Sequence, residues 1–205
     1  MPGADDDSTR FLRPNLAATG AAAVTPIDLR QLGSLAAVNA LISAANPLLM
    51  TIPSLRAGGA PASVDALRAR LLDLFTDFEA ACRRAAVPEE QETLSRFALC
   101  TVLDEAIQRT AWGHAAQWPQ RSLSIKLFGA NHGGDAFFNA LDRLVQAPSK
   151  HLQVLQLFYV CMALGFMGKY LVRDASGRAE VAELRERLYQ QYIRTSAAEA
   201  DVTLS

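Results

Sequence analysis

Residues 151–169 read HLQVLQLFYVCMALGFMGK, and from Val154 to Gly168 Gln156 is the one strongly polar side chain. A helix that is apolar on nearly every face must be enclosed by other helices or by lipid. Crossing hydrocarbon takes about 20 apolar residues, and this run stops short between His151 and Lys169. It reads as a buried central helix around which the remaining elements pack. Ser149, after Pro148, stands where a hydroxyl can cap its start by accepting from a first-turn amide. Gly165 and Gly168 each weaken an isolated helix by about 1 kcal/mol relative to Ala. The expected return is the close approach of a neighbouring backbone.

A helix of this kind needs a sizeable core, and 205 residues supply one domain or two fused bundles. Apolar content of 50% against 20% charged describes a folded chain rather than a disordered one. The net charge of -1 gives no broad attraction to nucleic acid or anionic lipid, so no nucleic acid partner is expected. Cys82, Cys100 and Cys161 are odd in number, lack a Cys-x-x-Cys spacing and fall in apolar helical patterns. They read as buried thiols in a reducing compartment. The first ten residues, MPGADDDSTR, are acidic and lack the apolar core of a signal peptide. No run of membrane-spanning length is expected anywhere.

In chain order, residues 1–33 lack periodicity and read as a disordered arm. A helix is predicted over 34–55, with Pro47 and Pro53 each starting or kinking a turn. The clearest amphipathic helix covers 63–86, with Val64, Leu67, Leu71, Leu74, Phe75, Phe78 and Cys82 on one stripe. Pro88 opens a helix running to about Thr110 and ending near Gly113. Residues 117–128 hold a Pro-led turn and a short helix, 129–134 a loop, and 135–147 a helix closed by Pro148. A turn over 174–177 precedes a last helix over 178–193 and a polar tail over 194–205. No strand pattern competes, and the fold class is all-α.

The most informative surface lies on the helix after Pro88. Its apolar residues leave a polar stripe of Thr101, Asp104, Glu105 and Gln108, spaced to stack on one face. Two readings stand. The stripe is a solvated face with Glu105 paired to Arg109 one turn on, or a site that holds a cation or receives a basic partner. Gly133-Gly134 before a helix lacks the GxxxxGK[S/T] of a phosphate loop, and Asp135 sits where a phosphate would rest. It reads as a tight turn admitting Phe137 and Phe138 to the core. His114, His132 and His151 share no ligand spacing, and Ser122 and Ser124 no nucleophile elbow. Trp112 and Trp118 flank a loop and anchor either an interface or the core. No nucleophile, base and orienter assemble, so an enzyme is not expected, nor a metal or cofactor.

A set of motifs runs in order along the chain: Asn46-Pro47-Leu48-Leu49, Leu103-Asp104-Glu105-Ala106, Thr110, Trp112-Gly113, Trp118, Ser122-Leu123 and Gly133-Gly134-Asp135 with Phe137-Phe138. His151-Leu152, the run from Leu157 to Tyr170 with Gly165 and Gly168, Leu184-Arg185 and Leu188-Tyr189 complete the set. Taken together these motifs resemble the TssL/DotU (IcmH) family of type VI and type IVB secretion. The similarity spans about 46–192. The resemblance implies two packed helical bundles forming a hook-shaped cytoplasmic domain with a cleft. It implies a C-terminal transmembrane anchor following the tail over 194–205, which places the domain on the cytoplasmic face of the bacterial inner membrane. It further implies pairing with a TssM/IcmF-like inner-membrane protein, contacts with TssK-like and TssE-like baseplate proteins, and room for a homodimer. In the family the acidic pair matched by Asp104 and Glu105 lies at the cleft. The loop at 128–131 lacks the His that many relatives place after the Phe. The expected function is therefore a non-enzymatic adaptor of a secretion membrane complex, using Thr101, Asp104, Glu105 and Gln108 as a partner cleft. The alternative is a small-ligand or metal-binding helical sensor using the same cleft.

Overall fold

The computed structural model describes residues 39–130 and 133–203. The expected N-terminal arm, the first residues of the helix predicted from 34, and Asn131 and His132 lie outside the described residues. Every regular element among those described is helical. They are α1 (Ala40–Ala57), α2 (Val64–Arg84), α3 (Glu89–Gln108), α4 (Ala111–Ala115), α5 (Leu123–Phe128), α6 (Gly134–Leu144), α7 (Leu152–Ala163) and α8 (Asp174–Thr203). Single 3-10 turns at Trp118–Gln120 and Ser149–His151 and a six-residue 3-10 segment at Gly168–Arg173 join them.

α1, α2 and α3 pack on one another as one bundle, and in a second α7 packs on both α6 and α8. The bundles share a continuous core, because α3 packs on α6 and α7, and α1 also reaches α7. The predicted stripe of α2 faces inward, with Leu71, Leu74, Phe75, Phe78 and Cys82 buried. Ser63 caps this helix, its Oγ accepting from the Ala66 amide at 3.1 Å. In the second bundle Phe137 stacks on Phe158 at 4.4 Å and leans on Phe166 at 4.5 Å. All three cysteines are buried thiols.

From Val154 to Ala163 α7 is buried apart from a half-buried Tyr159, as its composition requires, but it is shorter than predicted and shares the centre of the fold. The second half of α3 is also buried on every face, from Ala98 to Ile107. α7 ends at Ala163 because Gly165 turns left-handed, at φ 95°. The Phe166 amide then donates to the Cys161 carbonyl (3.2 Å) and the Gly165 amide to that of Met162 (2.9 Å). This is the paired closure of a Schellman cap, which favours glycine at that position. Gly168 is left-handed too, at φ 49°. Neither glycine therefore sits inside a helix, as the apolar run suggested. Ser149 opens a 3-10 turn rather than capping α7, which has no side-chain cap.

The stretch Ser149–Arg173, 25 residues whose most apolar window has a mean hydropathy of 1.5, does have the length and composition of a membrane span. That corrects the expectation drawn from the shorter run. Its most apolar window is 67% buried within the fold, against other helices. At the C-terminal side, 174–177 form the first turn of α8 rather than a separate turn. Gly177 lies against the Tyr170 carbonyl, where a Cβ has no room, so packing accounts for it. Residues 194–203, expected as a tail, continue α8. Pro47 and Pro53 lie within α1 without ending it.

The one buried polar side chain of α7, Gln156, joins three helices. Asn39 caps α1, its Oδ1 accepting from the amides of Leu41 and Ile42 at 2.9 and 3.1 Å. Its Nδ2 donates to Gln156 Oε1 at 2.7 Å and to the Gln153 carbonyl at 3.0 Å. Gln156 Nε2 donates onward to the Tyr192 hydroxyl of α8 at 3.3 Å. Removing Asn39 uncaps α1 and strands a buried amide. Asn39→Ala should cost about 1–3 kcal/mol in a urea melt, with the slope unchanged. Unchanged stability would mean that the helices meet without this bridge.

Candidate functional site

Asp104 and Glu105 are neighbours on α3, so their side chains leave the helix about 100° apart. Each runs to a different segment. Asp104, 4% exposed, receives four hydrogen bonds from N–H and O–H donors and a longer one from Cys100 Sγ at 3.9 Å. Its Oδ1 accepts from Trp118 Nε1 at 2.8 Å and from the Leu123 amide at 2.9 Å. Its Oδ2 accepts from the Ser124 amide at 2.9 Å and the Ser124 hydroxyl at 2.7 Å. Leu123 and Ser124 open α5, so Asp104 takes up amides that this helix cannot pair internally. The negative charge also suits the positive end of the helix. Trp118, fully buried, is a core residue held by its indole N–H.

Glu105, 9% exposed, does the same for the segment after α7. Its Oε1 accepts from the Met167 amide at 3.0 Å and its Oε2 from the Gly168 amide at 2.6 Å. Arg109 Nη1 stands 3.5 Å from Oε1, as the one-turn spacing predicted, and Arg56 Nη2 at 4.0 Å. The segment is seated by contact of two backbones. A Cβ on Gly134 would overlap the Cα of Gly168, and one on Gly168 would meet Phe138 Cε2 and the Gly134 carbonyl. The close approach expected at Gly168 is thus real, although its partner is the Gly133-Gly134 turn. Gly133 itself faces open space. At Gly165 a Cβ would meet the Arg56 guanidinium, and at Gly113 the Ile107 carbonyl.

The four residues of the predicted stripe do line one cleft, of ≈ 320 Å³, together with Pro119, Gly133, Gly134, Phe166, Gly168 and Leu171. They are not a solvated face. Thr101 is buried and its hydroxyl donates back to the Phe97 carbonyl at 2.9 Å. Of the four, Gln108 alone is exposed. The acidic oxygens are committed to internal donors, which leaves little capacity for a cation. No cluster of His, Cys, Asp and Glu suited to a metal occurs among the described residues. Trp112 is half-buried on the wall of a separate cleft.

A family model described as type VI secretion system protein DotU matches residues 40–205. The chain belongs to the DotU family. Among solved structures, the DotU chain is similar to TssL from Vibrio cholerae, at 27% identity and a TM-score of 0.68, covering 77% of this chain and 97% of that one. It is similar to the cytoplasmic domain of TssL from Acinetobacter baumannii, at 25% identity and a TM-score of 0.70, covering 77% and 99%. It shares the fold of SciP/TssL from enteroaggregative Escherichia coli 042, at 22% identity and a TM-score of 0.61, covering 71% and 85%. No curated protein matches it in sequence. The DotU chain is thus an all-α component of a secretion system.

The family resemblance implied a cleft at Asp104 and Glu105, and the residues alone left a solvated face as one reading, in which reversing their charges would cost the folded chain little. The structure corrects this. Reversing both charges with Asp104→Lys and Glu105→Lys would bury two ammonium groups against the six donors that now face carboxylates. Bonds to charged groups contribute about 1.5–3 kcal/mol each. The double variant should lose its cooperative thermal melt. A native-like melt would show that the two segments are held by other contacts.

Burial pushes the carboxyl groups of Asp104 and Glu105 above their ordinary range, with their hydrogen bonds pulling back the other way. A folded-state pKa above the unfolded one means that the native state binds more protons across the interval. The contribution to stability is then full below the unfolded value and is lost as pH rises through the folded one. For Asp104 the window opens upward from 3.8. The stability advantage of the wild type over Asp104→Asn, which cannot titrate, should narrow as pH rises from about 4 towards 7. A gap that widens over this range would place the folded pKa of Asp104 below the unfolded one.

Proposed function

We propose that this DotU chain is a non-enzymatic adaptor on the cytoplasmic face of the bacterial inner membrane. It pairs there with a TssM/IcmF-like protein and docks baseplate proteins of the TssK and TssE kinds through the cleft lined by Thr101, Asp104, Glu105 and Gln108. The observation that carries the reading is that these four residues converge on one cleft in a chain matched by the DotU model from residue 40 to 205. The similarity to a domain described as cytoplasmic supports the location.

The internal bonds of Asp104 and Glu105 change how such a cleft works. The carboxylates set the positions of its walls, the 118–124 segment and the 165–168 segment, and the accessible rim makes the contacts. Gln108, Pro119, Gly133 and Leu171 are the exposed members of that rim. Specificity then comes from shape and from the rim rather than from two free charges. Gln108→Trp places a large side chain at the mouth of the cleft from the exposed end of α3. Stability should move by no more than about 0.5 kcal/mol, while pull-down of purified baseplate proteins and secretion should be lost. Retained pull-down by a folded Gln108→Trp variant would remove the cleft from the docking surface.

A further inference from the structure

Beside Glu105 lies a cluster of positive charge with too few acceptors. Arg56, in the last turn of α1, has its Nε and Nη2 shut off from solvent, and neither makes a hydrogen bond among the described residues. The carboxylate facing it, Glu105, is 4.0 Å from Nη2 and already receives the amides of Met167 and Gly168. Arg109 draws on the same carboxylate at 3.5 Å, and its other acceptor is the Gly165 carbonyl at 3.5 Å. Two guanidinium groups therefore share one committed carboxylate. Burial first, and the like charge of Arg109 second, lower the pKa of Arg56, with Glu105 acting in the opposite direction.

Two clefts open on this pair. One, of ≈ 520 Å³, is lined by Arg56, Arg109 and Trp112 with Gly58 to Ala60. The other, of ≈ 440 Å³, is lined by Arg56, Arg109 and Arg178 with Gly165, Met167 and Leu171. Among the described residues no acidic side chain lines either. In the first, Trp112 Nε1 is a second buried donor without a hydrogen-bond acceptor among the described residues. A chain with a net charge of -1 thus concentrates three guanidinium groups and an unused indole N–H at one place. Buried donors left unpaired are costly, and guanidinium forks match carboxylate oxygens in pairs.

We propose that these adjoining clefts bind an acidic peptide segment of a partner protein, one carboxylate entering between Arg56 and Arg109 and another reaching Arg178. The site goes beyond the docking cleft proposed above, since Gln108 and Pro119 do not line it. A peptide fits better than a small free anion for two reasons. The cationic groups span two clefts, which calls for charges spaced along a chain. The walls also carry Ala60, Ala106, Trp112, Met167 and Leu171, apolar surface for the side chains between those charges.

The test is titration of the full chain with hexaglutamate at low salt, beside parallel titrations with inorganic phosphate and with hexalysine. Trp112 supplies the signal, because Trp118, the other tryptophan, is fully buried away from these clefts. Hexaglutamate should change the fluorescence saturably, weakening with added salt, and hexalysine should not. Arg56→Gln and Arg178→Gln should each weaken binding at least about tenfold. Arg178 is outside the Glu105 bonds, so its variant decides the matter if Arg56→Gln fails to fold. Gln108→Trp should bind hexaglutamate as the wild type does, which separates this site from the docking cleft. Three results would overturn the proposal: no saturable binding, equal binding by folded Arg56→Gln and Arg178→Gln, or phosphate binding as tightly as the peptide.

Discussion

Two adjacent carboxylates on one enclosed helix hold the fold at its seam. Asp104 and Glu105 lie on the half of α3 that is buried on every face, where an ionised group persists only if its oxygens are occupied. They are occupied by amides that begin other elements, Leu123 and Ser124 for α5, Met167 and Gly168 for the turn after α7. Donors that short helices cannot satisfy internally thus become the partners that make the buried charges tolerable. Both sides of the exchange would be costly alone.

The second segment fits only because two glycines meet. Gly134 at the start of α6 and Gly168 at the start of the last 3-10 segment approach backbone to backbone, and the aromatic cluster of Phe137, Phe138, Phe158 and Phe166 closes around them. Gly165 adds the left-handed turn that ends α7 and leaves its own position against the Arg56 guanidinium. The cleft is what remains between these fixed walls. Its shape follows from the capping bonds, and its chemistry from the few side chains left exposed at the rim. The arginines nearby are in the opposite condition, donors in excess of acceptors, which makes the two neighbouring surfaces chemically distinct.

Much of this was legible in the sequence. The 3.6-residue periodicity of Leu71, Leu74, Phe75, Phe78 and Cys82 fixed the buried face of α2, because amphipathic spacing is a local property. Pro88, Ser63 and Pro148 marked boundaries for the same reason. The apolar run at 151–169 required enclosure, and α7 is enclosed. The order of the Leu-Asp-Glu-Ala, Trp-Gly and Gly-Gly-Asp motifs carried the DotU resemblance that the family match over 40–205 bears out.

Tertiary structure decided the rest. An acidic pair on a helix has the same local pattern whether it meets water or the amides of Ser124 and Gly168, which lie 20 and 63 residues away along the chain. A glycine inside an apolar run reads as a packing site or a terminator equally well until its φ is known, and Gly165 proved the terminator. Asn39 gave no hint that it would reach Gln156, 117 residues on. Periodicity reports which face of an element is apolar, whereas the partner of a buried polar group depends on which distant backbone donors the packing brings within about 3 Å.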